Sequence, residues 1–211
     1  MTRKDLACLF MLIDHIGAVF FPDVVLLRIV GRLALPVFAY QVALGIRHTS
    51  DTGRYFLRLF GFALLSQPFS MLLFHTTQLN ILFSFALFVL LVHLVRRERW
   101  LLFVLIFFSF PLLEKAYGLE YGLYAASLVL VFSVSLEGPD PSLGIFLFAL
   151  LNLIFVFGGF LPPLQIFSLA SLPLIYIDVK HVDFKLGKYF YYLFYPVHLA
   201  VLLGWCYVFA I

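Results

Sequence analysis

The sequence predicts an all-α fold, a polytopic bundle of transmembrane helices, and three observations carry that reading. Of 211 residues, 64% are hydrophobic and only 12% are charged, against about a quarter charged in an average soluble domain. The mean hydropathy is +1.08. The apolar residues come in long runs separated by short polar turns. A soluble domain of this size has no single core large enough for so much apolar surface, so lipid must be the solvent for most of the chain. At roughly 20 residues per span plus turns, about eight to ten helices fit, and residues 1–211 form one domain.

The apolar runs divide into spans from Leu6 to Phe21, Val24 to Ile46, Tyr55 to Phe74, and Asn80 to Val95. A fifth goes from Trp100 to Leu113 and a sixth from Tyr121 to Leu136. Three more run from Ser142 to Phe160, Pro163 to Ile177, and Tyr189 to Phe209. Several are short enough to be tilted, re-entrant or broken. Gly158, Gly159, Pro162 and Pro163 read as a tight turn rather than a kink.

Orientation follows the positive-inside rule. With the N-terminus cytoplasmic, the inner segments hold 11 of the 14 lysines and arginines. These are Arg3 and Lys4; Arg47, Arg54 and Arg58; Arg96, Arg97 and Arg99; and Lys180, Lys185 and Lys188. The outer segments hold Lys115 beside Glu114 and Glu120, and the inner Glu137–Pro141 turn is acidic. About nine spans fit, with the C-terminus outside. The net charge of +3 therefore reflects topology, not nucleic-acid binding. Arg3 and Lys4 before an apolar stretch resemble a signal peptide. Asp14 and His15 interrupt that stretch and no small-residue cleavage site follows, so it reads as a retained first helix. Cys8 and Cys206 sit singly in apolar runs and read as free thiols.

Charge at membrane depth costs at least ~2.5–3.5 kcal/mol per residue, so its exceptions point to function. The first span reads MLIDHIG, with Asp14 and His15 well inside. The second reads LLRIVGRLALPVF, with Arg28 and Arg32 four apart on one helix face. The spans are antiparallel across a short turn at Pro22 and Asp23, so the four groups share the outer half of the bilayer. One reading is a structural Asp–Arg lock. The other starts from the charge count: two arginines and a histidine face one acid, a surplus that suits an anionic or carbonyl-bearing ligand. Asp14 and His15 are adjacent and point about 100° apart, so they take separate jobs.

Further polar groups join this set. Gln67 precedes Pro68, which permits a kink in the third span, and Asn80 opens the fourth. Both are candidate substrate contacts. In KYFYYLFYPVHL, His198 lies at mid-depth two residues after Pro196, open to an interhelical hydrogen bond or a site role. His93 lies at the interface, and His75 and His181 fall in loops. The inner turn GIRHTSDTGRYFLRLF clusters Arg47, His48, Arg54 and Arg58. Such a patch holds phosphates through charge-assisted hydrogen bonds or serves topology and lipid contact alone. No metal site is expected.

The stretches MLIDHIGAVFFPD, LLRIVGRLALPVFAY and GIRHTSDTGRYFLRL resemble the TraX family of small bacterial inner-membrane proteins. SQPFSMLLF, NILFSFAL, the YGLY at Tyr121–Tyr124 and the closing FYPVHL do so as well. The likeness covers most of the chain and is most specific in the first 70 residues. It implies acyl transfer: the named TraX protein acetylates the N-terminal residue of conjugative pilin. The family is similar to the membrane acyltransferases of polysaccharides and to heparan-alpha-glucosaminide N-acetyltransferase. Those take an acyl group from cytoplasmic acyl-CoA and use an intramembrane histidine. In the polysaccharide class a basic residue precedes that histidine by ten intervening residues, a spacing that Lys4 and His15 share.

The resemblance implies acetyl-CoA or another acyl-CoA as donor and an amine or hydroxyl acceptor, either a protein N-terminus or a saccharide. Arg47, Arg54 and Arg58 would hold the CoA phosphates and His15 would be the general base. Arg28 or Arg32 would stabilise the oxyanion, Asp14 would hold an arginine, and His198 would be a second base or substrate contact. Two other classes remain open. A proton-coupled transporter of a small solute also uses midplane Asp, His and Arg residues. A haem-bearing anchor would use His15 and His198 as paired ligands.

Overall fold

The computed structural model describes residues 2–138, 140–177 and 187–209. Lys180, His181 and Lys185 lie outside them, as does the Lys188 side chain. The described chain is helical throughout: α1 Arg3–Phe20, α2 Val25–Gly31, α3 Ala34–His48, α4 Thr52–Phe74, α5 Ile81–Arg96, α6 Trp100–Tyr117, α7 Gly122–Ser135 and α8 Ser142–Phe157. A 3-10 segment, Pro163–Ser171, runs into α9, Leu172–Tyr176, and α10 is Lys188–Phe209.

Local chemistry sets the helix ends. Thr2 and Asp5 form a capping box before α1: the Thr2 hydroxyl accepts from Asp5 N at 3.3 Å, and the Asp5 carboxylate accepts from Thr2 N at 2.6 Å. Asp51 caps α4 by accepting from Arg54 N at 3.0 Å. Asn80 caps α5 by accepting from Leu82 N at 3.1 Å. His75 ends α4 in the left-handed region, at φ 50°.

Four helical stretches among the described residues are long and apolar enough to cross a bilayer: Val25–His48, Thr52–Phe74, Trp100–Tyr117 and Tyr189–Phe209. Ile81–Arg96, Gly122–Ser135, Ser142–Phe157 and Pro163–Tyr176 are apolar but shorter. The protein is a helical membrane bundle. Two of the expected spans are not continuous helices. The run Val24–Ile46 breaks at Arg32 and Leu33, because Pro36 has no N–H for the Arg32 carbonyl and its ring crowds that oxygen. The run Pro163–Ile177 is mostly 3-10, the tighter helix whose side chains eclipse every third residue. That period puts Gln165, Ser168 and Ser171 on one face, and all three are buried. The stretch after Phe157 is a turn, with Gly159 at φ +75°.

Packing places α4 against α5 and α10, α1 against α2 and α3, and α3 against α7, which also touches α5 and α8. The core is aromatic and aliphatic, with Tyr124, Leu128, Phe132 and Phe148 fully buried. A polar network crosses it. The Tyr124 hydroxyl donates to Asn152 Oδ1 at 3.1 Å, and Ser168 donates to the same oxygen at 2.9 Å. In contrast α6 packs on α5 with large apolar side chains exposed, such as Leu101, Phe108 and Leu112, which suits lipid.

The bundle has two unlike ends. Arg3, Lys4 and the turns at Arg47–Asp51 and Arg97–Arg99 gather at one, called here the basic end. At the opposite end the turn before α5 and the turn before α7 bond to each other. Leu79 N donates to Gly118 O at 3.0 Å, and Glu120 N donates to Leu79 O at 2.9 Å. That pairing brings Glu120 and Tyr121 under the bundle.

Candidate functional site

The helix break is what presents the second arginine. From α2, Arg28 reaches the Asp14 carboxylate at 3.1 Å and donates to the Asp14 carbonyl at 2.9 Å. Arg32, at the break, reaches the other Asp14 oxygen at 3.4 Å and donates to the Tyr121 hydroxyl. Its side chain is only 9% exposed. Burying a guanidinium is tolerable only where its hydrogens find acceptors, and Asp14 and Tyr121 provide them. Gly17 and Gly31 allow α1 and α2 to approach this closely: a Cβ at either would collide with Leu27 or with Asp14.

His15, one residue along α1, faces elsewhere. Its Nδ1 lies 2.8 Å from Nε2 of His198 on α10. The two rings are within 13° of parallel with centroids 5.0 Å apart. His198 Nδ1 in turn lies 2.6 Å from the Phe194 carbonyl. Phe74 and Tyr195 pack edge-on around His15 at 5.1 and 6.4 Å. Asp14 and His15, adjacent in sequence, thus have different partners. A metal held between two imidazoles needs their nitrogens roughly 4 Å apart, two bonds of about 2 Å each. At 2.8 Å the pair is a hydrogen bond.

One cavity of about 510 Å³ joins these groups to the basic end. Lys4, His48, Thr49 and Arg58 line it there, and Lys4 and His48 are exposed, so the cavity opens at that end. Asp14, His15, Arg32, Glu120 and Tyr121 line its far part, with Tyr55, Tyr191, Tyr192 and Tyr195 along the wall. Lys4 and His15 are eleven residues apart on one helix, so the cavity is on the order of 16 Å deep between them.

Glu120, which the sequence puts in an outer loop beside Lys115, also lines this cavity. It sits in the turn between α6 and α7, where its Oε2 accepts from Ile81 N, at the start of α5, at 2.9 Å. Ser84 donates to its carbonyl at 3.0 Å. Burial pushes the carboxyl up to about 7, and the Asp14 charge adds to the rise. The Ile81 N–H and the charges of Arg32 and Arg28 oppose it. The count of two arginines and a histidine against one acid is therefore corrected: a second carboxyl stands in the same cluster. Nothing local in GLEYGLY marks this, since only the pairing of two distant turns carries Glu120 inward.

The other expected site residues divide. Of the three arginines assigned to phosphate, Arg58 lines the cavity, with its guanidinium over the Tyr55 ring at 5.7 Å. Arg54 points away and pairs with its own cap, Asp51, at 2.7 Å, with the side chain 81% exposed. Arg47 donates to the Leu136 carbonyl. Lys4 and His48 stand where those two were expected. Gln67 and Asn80 are not among the described residues lining the cavity. Gln67 Oε1 accepts from Asn80 Nδ2 at 2.9 Å and from Asn80 N at 3.0 Å, and Asn80 Nδ2 also donates to Ala63 O at 2.9 Å. They brace α4 against the start of α5, where Glu120 is held. A capping amide already bonded on both sides has little left for a substrate.

A relative and a family model match the chain over nearly its whole length. The chain is 27% identical to the probable fimbrial assembly protein FimC, serogroup H1, of Dichelobacter nodosus, over 94% of this chain and 92% of that one. A local stretch of 37 residues is 49% identical to an uncharacterized protein of Rickettsia prowazekii (strain Madrid E), covering 18% of this chain and 15% of that one. No solved structure matches. The model of the family described as TraX protein matches residues 2–205, and the chain belongs to that family.

Proposed function

We propose that the chain is a membrane acyltransferase that moves an acyl group, acetyl in the simplest case, from acyl-CoA to an amine or hydroxyl acceptor. The observation that supports this best is the single cavity linking cationic residues at an open end to a buried imidazole beside arginines. The nucleotide end of acyl-CoA is polyanionic, and Lys4, His48 and Arg58 would hold its phosphates. The thin pantetheine arm would lie along the tyrosine-lined wall and bring the thioester to His15. His15 Nε2 would take the proton from the acceptor N–H or O–H as that atom attacks the thioester carbon. Arg32, fixed by Asp14 and Tyr121, would stabilise the oxyanion. When the C–S bond breaks, the CoA sulfur takes the proton back from His15, giving acyl-acceptor and CoA thiol. The basic end would face the cytoplasm, the source of acyl-CoA, in a bacterial inner membrane. The name of the Dichelobacter relative suits a fimbrial subunit as acceptor.

The test is incubation of the purified protein with acetyl-CoA labelled in its acyl group, with and without added amines. Release of CoA thiol that depends on His15 is expected; the absence of both release and binding would overturn the reading. Transport of a small solute draws on one specific observation, the Glu120 carboxyl poised near neutrality at the far end of an open cavity. Proton-driven uptake into vesicles holding the protein, without any turnover of acetyl-CoA, would favour it.

A further inference from the structure

The hydrogen bond between the two histidines has a direction, and the direction follows from what lies behind it. His198 Nδ1 is 2.6 Å from the Phe194 carbonyl oxygen, one turn earlier in α10. A carbonyl only accepts, so Nδ1 carries hydrogen. A neutral imidazole protonated at Nδ1 has a bare Nε2. That Nε2 lies 2.8 Å from His15 Nδ1, and a contact of that length needs one hydrogen between the atoms. The hydrogen then belongs to His15, which keeps its lone pair on Nε2. His15 Nε2 has no hydrogen-bond partner among the described residues, yet it is not sealed off, because the ring borders the cavity. The opposite direction would require His198 to be an imidazolium. It would put a positive charge on a ring only 6% exposed, with no carboxylate in contact with it among the described residues.

We propose that His198 is a positioning residue that holds His15 in the one tautomer able to act as a base toward the cavity. The role rests on the acyl-transfer reading; the tautomer does not. The His198 ring has little freedom to do otherwise. It is 6% exposed, stacked on Phe194 with centroids 5.0 Å apart, and flanked edge-on by Tyr195 at 5.6 Å. During transfer, the acceptor proton arrives at His15 Nε2 while the acceptor atom bonds to the acyl carbon. The His15 Nδ1–H to His198 bond then becomes charge-assisted and strengthens, so the arm favours the protonated base at the moment when it forms. As the C–S bond breaks, the CoA sulfur removes the proton and the pair returns to its starting state. Without the acceptor behind Nδ1, nothing keeps the proton off Nε2, and that fraction of the protein cannot take a proton.

The test pairs His198→Phe with His198→Gln in the full-length protein. Phe keeps the ring and loses the acceptor; Gln returns an acceptor oxygen near the Nε2 position. Nitrogen-15 spectra of histidine-labelled protein, with His15 assigned through His15→Gln, read the tautomer directly. The expected wild type has hydrogen on His15 Nδ1, lost or mixed in His198→Phe and restored in His198→Gln. The transfer kcat should fall ~10- to 100-fold in His198→Phe, part of the roughly 10²–10⁴ that a positioned base contributes, with KM for acetyl-CoA unchanged, and recover in His198→Gln. A wild-type His15 with hydrogen on Nε2, or a His198→Phe protein with unchanged tautomer or unchanged kcat, would overturn the proposal. The expected tautomer in a protein that turns over no acyl-CoA would support the orienting arm and remove the reaction assigned to it.

Discussion

Gly31 and Asp14 are in direct contact where α2 crosses α1. A methyl group on Gly31 would lie inside the Asp14 carboxyl, so the glycine sets how near the carboxylate comes to Arg28 and Arg32. Gly31→Ala should therefore act on the ion cluster as well as on packing. Overfilling a tight contact costs typically 1–3 kcal/mol, and the displaced carboxylate adds to that. A lower unfolding temperature in detergent is expected; an unchanged one would mean that the helices part without loss.

Asp14→Ala and His15→Ala should fail in different ways, although the residues are neighbours. Removing Asp14 strands the Arg32 guanidinium, whose side chain is 9% exposed, and breaking a buried pair costs about 3–5 kcal/mol. The amount of folded protein should fall together with activity. His15→Ala leaves no charge unpaired, so the fold and acyl-CoA binding should persist while transfer drops by a factor of order 10² or more. Unfolding temperature and transfer rate on both variants decide it. A stable, active His15→Ala protein would end the proposed chemistry.

Arg58 and Arg54 are four residues apart, yet only Arg58 borders the cavity. Arg58→Ala should weaken acyl-CoA binding by about 1.5–3 kcal/mol for each charge-assisted bond lost, and Lys4→Ala should act in the same direction. Arg54→Ala removes an exposed ion pair with Asp51, of the kind worth roughly 0–1 kcal/mol, and should leave binding alone. Titration of the three variants with acetyl-CoA checks this; equal losses for Arg54 and Arg58 would mean that the site is the turn and not the cavity.

How much of this could be read from the sequence depends on where each contact comes from. Helices and polar exceptions are local facts, so the bundle and the outlying Asp14, His15, Arg28 and Arg32 were legible. The break at Arg32 was readable in principle, because Pro36 sits four residues on. The Arg54–Asp51 pair was hidden in plain view: an acid three residues before an arginine at a helix start is a cap, and it turns the arginine outward. Glu120, Tyr121 and the His15–His198 bond depend on the meeting of segments 36 or more residues apart, and no local pattern encodes that.

Glu120 gives a pH dependence of stability whose sign is opposite to that of a salt-bridged acid. Its folded value, about 7, lies above the ordinary 4.5. Between those values the folded chain holds a proton that the unfolded chain has released, so stability falls as pH rises through that window and levels off above 7. Unfolding temperatures between pH 5 and 8 should show the decline, and Glu120→Gln should flatten it. The same slope in both proteins would move the effect to another group.

The orientation of the bundle decides whether the cavity opens toward the supply of acyl-CoA. Arg3, Lys4 and the turns at Arg47–Asp51 and Arg97–Arg99 share one end, and basic turns remain on the cytoplasmic side. Ser50 is exposed at that end and Thr77 at the other. In a background with Cys8 and Cys206 replaced, Ser50→Cys should react with a membrane-impermeant maleimide only after the cells are opened. Thr77→Cys should react in intact cells once the outer membrane is made permeable. The reverse pattern would place Lys4, His48 and Arg58 on the side where no acyl-CoA exists. The polar cluster at Asp14 and Glu120 would then face the cytoplasm, and a carrier would explain the cavity better than a transferase.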